Sequence, residues 1–153
     1  MNVVLLHPEI PENTGNIARL CAGTQSPLHL IRPMGFRLDE KRMKRAGLDY
    51  WPHVDLHVHD GWDAFCAACP GTYWFASTKG ERAHYDAAYA PNDYLCFGSE
   101  TSGLPADFYA RYRSQLITIP MTGPIRSLNL ANAVSIVLYE ALRPMLQIQP
   151  KTL

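Results

Sequence analysis

Short apolar runs alternate with amphipathic stretches along the whole chain, and this alternation predicts strands and helices in turn. The predicted strands are 2–6, 28–31, 54–59, 72–78, 93–98 and 115–120. The predicted helices are 16–23, 39–47, 62–68, 105–113 and an almost entirely apolar one over 128–142. Strands and helices at this spacing predict an α/β domain with a mainly parallel sheet and flanking helices. Without a repeat or a long linker, residues 1–153 are expected to form one domain.

Composition and charge narrow the class of protein. The 14 basic and 14 acidic residues cancel, whereas a protein that coats nucleic acid without specificity is usually basic. No stretch approaches the roughly 18–20 uncharged apolar residues of a membrane span. The first residues, "MNVVLLHPEIPEN", lack the basic start of a signal peptide. We therefore expect a cytoplasmic protein with no membrane association.

Cysteine and histidine spacing raises the question of a metal. Cys66 and Cys69 form a C-x-x-C pattern, which occurs in redox and zinc sites. A zinc site needs about four ligands, and no second pair follows. A redox pair favours a helix N-terminus, whereas these cysteines lie late in a predicted helix. His57 and His59 share one face of a predicted strand, without a cysteine and carboxylate cluster nearby in the sequence. We expect small buried thiols and no metal.

The loop after the first predicted strand, "HPEIPENTGNIARLC", is rich in polar side chains. Asn13 and Asn16 supply amide groups, and Gly15 permits an unusual backbone conformation. Arg19 lies three residues after Asn16, so both side chains can face the same side of a helix. A well-capped helix with a surface arginine explains this loop equally well when it is taken alone.

A second polar loop, "FGSETSGLP" (97–105), joins a predicted strand to a predicted helix. Gly98 and Gly103 have the spacing of a phosphate-binding loop, but the lysine and hydroxyl that should follow are replaced by leucine and proline. The chain also lacks the dinucleotide-binding and nucleophile-elbow patterns. Glu100 would repel a polyphosphate, and it suits a hydroxyl, an amine or a basic partner residue.

The third loop, "IPMTGPIRSLNLANA" (119–133), leads into the last predicted helix. Ser127 and Asn129 are both suitable caps, because their side-chain oxygens can accept hydrogen bonds from the first helical N–H groups. Asn132 lies three residues after Asn129 and shares its face. One cap explains one of these residues but not all three, so the polar start of this helix is predicted to bind a ligand.

In this order, the three segments resemble the signature motifs of the SPOUT RNA methyltransferases, the α/β-knot enzymes that use S-adenosylmethionine. The resemblance extends from "PENTGNIARLC" through "FGSETSGLP" to "SLNLANAVSIVLYEA", and so covers nearly the whole chain. The small size and the stretches "PMGF", "KRAGLDY" and "TKG" resemble the minimal subgroup that 2′-O-methylates the wobble nucleotide of tRNA.

The resemblance implies a fold and a cofactor pocket. It implies a deep C-terminal trefoil knot, which no hydrophobic pattern predicts. It also implies a homodimer, with Tyr139 as a candidate interface residue. The residues that it places around S-adenosyl-L-methionine are Ala76, Thr78, Gly98, Ser99, Glu100, Ile119, Met121, Ser127, Leu128 and Asn132.

The implied reaction transfers a methyl group to the ribose 2′-hydroxyl of nucleotide 34 of tRNA, which is a cytidine or a modified uridine. It releases S-adenosyl-L-homocysteine. Leucine isoacceptors are the expected substrates. The resemblance makes Arg19 the catalytic group, either as a base or as a charged group that stabilises an alkoxide or binds phosphate. Asn13 and Asn16 are expected to hold the loop and the ribose, and Glu100 to orient Arg19.

RNA binding by a chain without net charge requires a local basic surface. The candidates are Arg19 and Arg126 together with Lys41, Arg42, Lys44 and Arg45 of the predicted helix over 39–47. In that helix the basic residues lie toward the C-terminus, where they also favour the helix dipole, so a purely structural role stays open.

The chain departs from the wobble subgroup at two positions of the second loop. Ser99 and Ser102 give "SETSG" where "PETRG" is expected, so one cation beside the pocket is missing, and "TGPIRS" also differs from the expected third loop. Two other functions stay open. The first is 2′-O-methylation of another tRNA or rRNA position, and the second is RNA binding without catalysis on the same fold. A flavodoxin-like nucleotide-binding domain would need a phosphate-binding loop that the chain lacks.

Overall fold

The computed structural model describes residues 1–38 and 50–146, so the predicted helix over 39–47 lies outside the described residues. The strands are β1 (Asn2–Leu6), β2 (Leu28–Ile31), β3 (Leu56–His59), β4 (Tyr73–Ala76), β5 (Arg82–Ala83), β6 (Tyr94–Phe97) and β7 (Leu116–Thr118). The α-helices are α1 (Pro11–Thr24), α2 (Trp62–Ala68), α3 (Phe108–Arg111) and α4 (Leu130–Leu142). Short 3-10 helices cover Trp51–His53, His84–Asp86 and Arg113–Gln115.

The seven strands form one sheet in the order β3-β2-β1-β6-β4-β7-β5, and every pair within it is parallel. This confirms the predicted α/β class with a parallel sheet. The six predicted strands are all present, and the seventh, β5, is a two-residue edge strand without a hydrophobic pattern of its own. The trefoil knot stays a prediction.

Side chains that alternate along the strands separate two apolar cores. On β1, Val3 and Leu5 pack in the core that α1 and α4 cover. Val4 and Leu6 point to the opposite face, where Phe65 of α2 and Phe108 of α3 complete the second core. Successive strand residues point to opposite faces of a sheet, so a strand with both faces covered is apolar throughout. This explains why "NVVLL" shows no polar alternation.

The boundaries of α1 differ from the prediction at both ends. The helix begins at Pro11 rather than at residue 16, because proline at the first helical position needs no N–H partner. It continues past Gly23 to Thr24, and Gln25 ends it with a left-handed backbone at φ 53°. A left-handed residue commonly ends a helix, although glycine is more usual there.

The last helix, α4, has a buried face and an exposed one. Val134, Val137 and Leu138 are fully buried, whereas Ile136 and Tyr139 are 39% and 51% exposed. These two residues, at a helical spacing of three, give α4 an apolar stripe on its outer face. No helix in the described part of the chain is long and apolar enough to cross a membrane.

Candidate functional site

A cavity of about 530 Å³ lies outside the carboxyl ends of β4, β6 and β7. Ligands of parallel sheets generally bind at this edge, because the loops that follow the strands meet there. Its wall is formed by the loops after these strands, the loop after β1 and the start of α4. The lining residues are Ile10, Asn13, Ala76, Ser77, Thr78, Lys79, Phe97, Gly98, Ser99, Glu100, Thr101, Ser102, Gly103, Leu104, Tyr109, Thr118, Ile119, Met121, Arg126, Ser127, Leu128, Asn129, Leu130 and Ala133.

Two glycines shape the loop after β6. Ser99 and Gly103 exchange backbone hydrogen bonds of 3.1 and 3.0 Å, which close the loop on itself. A Cβ on Gly98 would lie 2.1 Å from the carbonyl carbon of Gly103, and Gly103 itself has a φ of +71°. Both positions therefore require glycine, the first for close backbone approach and the second for its left-handed conformation. The G-x4-G spacing in the sequence reflects this closed loop.

Glu100 joins this loop to the loop after β1. Its carboxylate accepts hydrogen bonds from the backbone N–H groups of Glu9 and Ile10, at 2.8 and 3.2 Å, and from Asn13 Nδ2 at 3.1 Å. In return, the carboxylate of Glu9 accepts from the N–H and hydroxyl of Thr101, at distances of 2.8–3.1 Å. Among the described residues, the Glu100 carboxylate has these three donors as partners, and its expected role in orienting Arg19 stays a prediction.

Asn13 and Asn129 connect the first loop to the start of α4. Asn129 Nδ2 donates to Asn13 Oδ1 at 2.9 Å, and Asn13 is nearly buried. The other side-chain atom of Asn129, Oδ1, accepts from the backbone N–H groups of Ala131 and Asn132 at 2.9 and 3.4 Å. Asn129 is therefore the cap of α4 and a wall residue of the cavity, whereas Ser127 is a wall residue without a capping role.

The structure brings together most of the residues expected to hold a cofactor. Nine of the ten line the cavity: Ala76, Thr78, Gly98, Ser99, Glu100, Ile119, Met121, Ser127 and Leu128. The tenth, Asn132, is exposed on the first turn of α4 and lies outside the lining set, where Asn129 takes its place.

The four expected catalytic residues fall into two groups. Asn13 and Glu100 line the cavity, whereas Asn16 and Arg19 are exposed on α1 and do not. The Arg19 guanidinium carbon lies 5.5 Å from the ring centroid of Tyr50, whose hydroxyl donates to the carbonyl of Gly15 at 3.1 Å. The structure therefore places Arg19 outside the residues that line the cavity.

The candidate RNA-binding residues are only partly described. Arg126 is exposed and lines the cavity, and its role in RNA binding stays a prediction. Lys41, Arg42, Lys44 and Arg45 lie outside the described residues.

Sequence reasoning missed several wall residues. Lys79 and Tyr109 form a cation–π contact, in which Lys79 Nζ lies 4.5 Å from the centroid of the Tyr109 ring. Lys79 belongs to the "TKG" stretch that resembles the wobble subgroup, so the sequence held a signal for it. Tyr109 lies in α3, in a helical pattern that predicts only packing. Ile10 likewise carried no signal, because its exposure in a loop is not visible in the sequence.

The cysteines take no part in this cavity. Burial raises the pKa of the Cys21 thiol to about 12, and it also raises the pKa of Cys66 and Cys96. A raised pKa favours the protonated thiol, which is a poor nucleophile. The expectation of small buried thiols was made for Cys66 and Cys69, and both are only partly buried, whereas Cys21 and Cys96 are buried.

Comparisons with known proteins follow the same lines. The sequence pattern of the SpoU rRNA Methylase family matches residues 1–139. A tRNA (cytidine(34)-2′-O)-methyltransferase from Burkholderia ambifaria is 49% identical over 146 residues, which cover 93% of this chain and 94% of that protein.

Two solved structures share the fold. One, determined to explain the 2-OH methylation of C/U34 on tRNA, is 51% identical and has a TM-score of 0.87, with coverage of 94% of this chain and 95% of that chain. The other, an AdoMet-bound rRNA methyltransferase from Sinorhizobium meliloti, is 25% identical with a TM-score of 0.82. The match covers 95% of this chain and 57% of the Sinorhizobium meliloti chain.

The close approach at Gly98 predicts that Gly98→Ala destabilises the protein. The added methyl group would meet backbone atoms of Gly103 and Leu104, which cannot rotate away. We expect a loss of about 1–3 kcal/mol in the free energy of unfolding, as for an overpacked site. Urea denaturation measures it.

Gly23→Ala is the matched control, because nothing lies within 4 Å of the added Cβ and the residue is in α1. It should leave the stability unchanged or raise it by roughly 0.5–1 kcal/mol. Equal unfolding midpoints for the two variants would contradict the close approach at Gly98.

Proposed function

The chain belongs to the SpoU rRNA Methylase family, and on this premise we propose that it methylates the ribose 2′-hydroxyl of nucleotide 34 in tRNA. It is a tRNA (cytidine(34)-2′-O)-methyltransferase that uses S-adenosyl-L-methionine and acts on cytidine or modified uridine. The observation that carries the proposal is the cavity at the carboxyl edge of the sheet, since its wall holds nine of the ten residues expected around the cofactor. Leucine isoacceptors are the proposed tRNAs.

The residues of the cavity fit this cofactor. A volume of about 530 Å³ lies within the roughly 300–1,000 Å³ of ordinary small-molecule sites. The wall combines apolar side chains such as Leu104 and Leu128, which suit an adenine ring, with hydroxyls such as Ser99 and Ser127, which suit polar groups. S-Adenosyl-L-methionine, when bound, supplies a methyl group on a sulfonium, which a ribose hydroxyl can accept.

The protein's contribution to the reaction is to position the ribose and to assist loss of its proton. Correct positioning alone lowers a barrier by about 7–11 kcal/mol in favourable cases. Asn13 is suited to this task, because Glu100 and Asn129 fix its amide from both sides. Asn16 would contact the substrate from the exposed side of α1.

Arg19 is the proposed catalytic residue. Its guanidinium carries a positive charge beside the cavity, where an alkoxide or a neighbouring phosphate would lie. The contact with Tyr50 supports the guanidinium on one side and leaves the other side accessible to substrate. The proposal has two versions. In one, Arg19 accepts the proton of the hydroxyl; in the other, it only stabilises negative charge.

The tRNA would be bound by Arg126 at the cavity, by Arg19 beside it and by Lys41, Arg42, Lys44 and Arg45. A basic surface of this kind binds phosphates even when acidic residues elsewhere balance the net charge. A tRNA substrate also supports the expected cytoplasmic location.

A homodimer is the proposed assembly. The outer face of α4 exposes Ile136 and Tyr139, and Ile125, which is 59% exposed, precedes the same helix. Apolar side chains that cluster on one surface are typical of a protein interface. The stripe adjoins the start of α4, so a second subunit there would lie close to the cavity.

The first experiment incubates the protein with labelled S-adenosylmethionine and total tRNA from a strain that lacks the enzyme. Nucleoside digestion then locates the label. We expect 2′-O-methylated pyrimidine at position 34 of leucine tRNAs. Label on another ribose would retain the activity and overturn the position. Unlabelled RNA together with binding of S-adenosylhomocysteine would mean that the substrate is another RNA or that a partner is missing. Unlabelled RNA without binding of S-adenosylhomocysteine would favour RNA binding without catalysis.

The position of Arg19 separates catalysis from cofactor binding. Arg19→Ala should lower kcat by at least about 100-fold, as expected for loss of a group that stabilises developing charge. Affinity for S-adenosylhomocysteine should stay unchanged in calorimetry, because Arg19 does not line the cavity. Arg113→Ala, which removes an exposed arginine paired with Glu81, should leave both quantities unchanged. Equal loss in both variants would contradict a catalytic Arg19.

The homodimer is tested with Tyr139. Tyr139→Glu places a charge in the proposed interface and should convert the dimer to a monomer in sedimentation experiments, because an unpaired buried charge is costly. Tyr139→Phe keeps the ring and should preserve the dimer. A monomeric wild-type protein, or a dimeric Tyr139→Glu variant, would refute this interface.

A further inference from the structure

Three potential metal ligands meet on the face of the sheet that α2 covers. They are the ring nitrogens of His29 and His59 and the sulfur of Cys69, and these atoms all lie within 4.8 Å of one another. Nδ1 of His29 is 3.0 Å from Nε2 of His59. This group, named here the His–His–Cys cluster, is separate from the cavity, since none of its members lines that wall.

The strand register explains how the cluster forms. His29 in β2 is opposite His57 in β3, and Ile31 is opposite His59. Residues two apart on a strand share a face, so both β3 histidines point to the side of His29. Cys69 reaches the same side because α2 ends immediately before it.

The surroundings hold the cluster in place. His29 is only 5% exposed, and the rings of Phe65 and Tyr94 lie 5.5 and 5.8 Å from its centroid. The ring of His57 stacks on His29 at 4.8 Å, and Nε2 of His57 lies 2.9 Å from a carboxylate oxygen of Asp55. A buried imidazole between aromatic rings has few rotamers open to it, which favours a fixed ligand geometry.

We propose that the His–His–Cys cluster binds one Zn²⁺ ion, with His29, His59 and Cys69 as ligands and water in the fourth position. Zinc takes histidine nitrogen at about 2.0–2.1 Å and cysteine sulfur at about 2.3 Å, so tetrahedral ligands lie about 3.3–3.7 Å apart. The observed separations, 3.0 Å between the two histidine nitrogens and up to 4.8 Å within the cluster, lie on either side of that range. Rotation of the partly buried His59 and Cys69 side chains about the fixed His29 would bring the ligand atoms into it.

This proposal departs from the expectation of no metal, which compared residues near one another in the sequence. His29 lies 30 residues before His59, so only the parallel pairing of β2 with β3 brings the two rings together. Of the C-x-x-C pair, Cys69 supplies a ligand and Cys66 does not. The pair is therefore not the usual half of a four-cysteine zinc site.

Binding replaces the Cys69 S–H bond with a sulfur–zinc bond, and the proton passes to the solvent. No oxidation or reduction is involved. The ion would connect the end of α2 to the paired strands β2 and β3, of which β3 is the edge strand. Its role is structural, because it lies apart from the residues proposed for methyl transfer.

The test uses the full-length, tag-free protein after treatment with a chelator. Zinc titration by calorimetry should show one equivalent per chain and a release of protons that depends on the buffer. Cobalt in place of zinc should add a thiolate-to-metal absorption band. Cys69→Ser should abolish that band, and Cys69→Ser and His59→Gln should each weaken zinc binding by at least about 100-fold, more than outer-shell changes of about 10–100-fold.

Cys66→Ser and His53→Gln are the matched controls, a neighbouring cysteine and an exposed histidine outside the cluster. Both should bind zinc as the wild type does. Retained binding of S-adenosylhomocysteine in every variant shows that the fold is intact. Less than one equivalent of zinc in the wild-type protein, or equal affinity in all four variants, would overturn the proposal. Neither result bears on methyl transfer, which is measured separately.

Discussion

The carboxylate of Glu100 is the interaction on which the rest of the candidate site depends. It lies in the loop after β6 and accepts hydrogen bonds from two backbone N–H groups and one side chain of the segment after β1. A partly buried carboxylate without donors is costly, so these three donors fix the distance between the two loops. Asn13 passes the constraint on to Asn129 and thereby to the start of α4.

The fold was largely predictable because β1, β2 and β6 are short apolar runs covered on both faces. β5 was not, since Arg82 and Ala83 carry no pattern and pair only because β7 lies beside them. The cofactor residues followed from resemblance, but the partners of Glu100 did not. Two of its three donors are backbone N–H groups, which every residue carries and no sequence pattern marks. The His–His–Cys cluster could not be predicted for a related reason. The pairing of β2 with β3 brings its histidines together, and the spacing of residues along the sequence does not reveal which strands pair.

The final helix, α4, contributes to the core, to an exposed apolar face and to the wall of the cavity. With 3.6 residues per turn, Val134, Val137 and Leu138 face the core while Ile136 and Tyr139 face outward. Its first residues are polar because they adjoin the cavity, where Asn129 both caps the helix and contacts Asn13. The almost continuous apolar sequence of α4 thus combines a face buried in the core, an apolar face that is exposed in the single chain, and a polar end that adjoins the cavity.

The hydrogen bond between Asn13 and Asn129 spans 116 positions of the chain, and the wall of the cavity extends from Ile10 to Ala133. Only a fragment that extends from Ile10 to Ala133 contains all the lining residues. A nascent chain that still lacks α4 contains the residues of all seven described strands but not those at the start of α4 that complete the wall. Contacts of such long separation also form slowly. The wall of the cavity is therefore completed only by the last part of the chain to be synthesised, and a chain that ends before Asn129 lacks both the cap of α4 and the partner of Asn13.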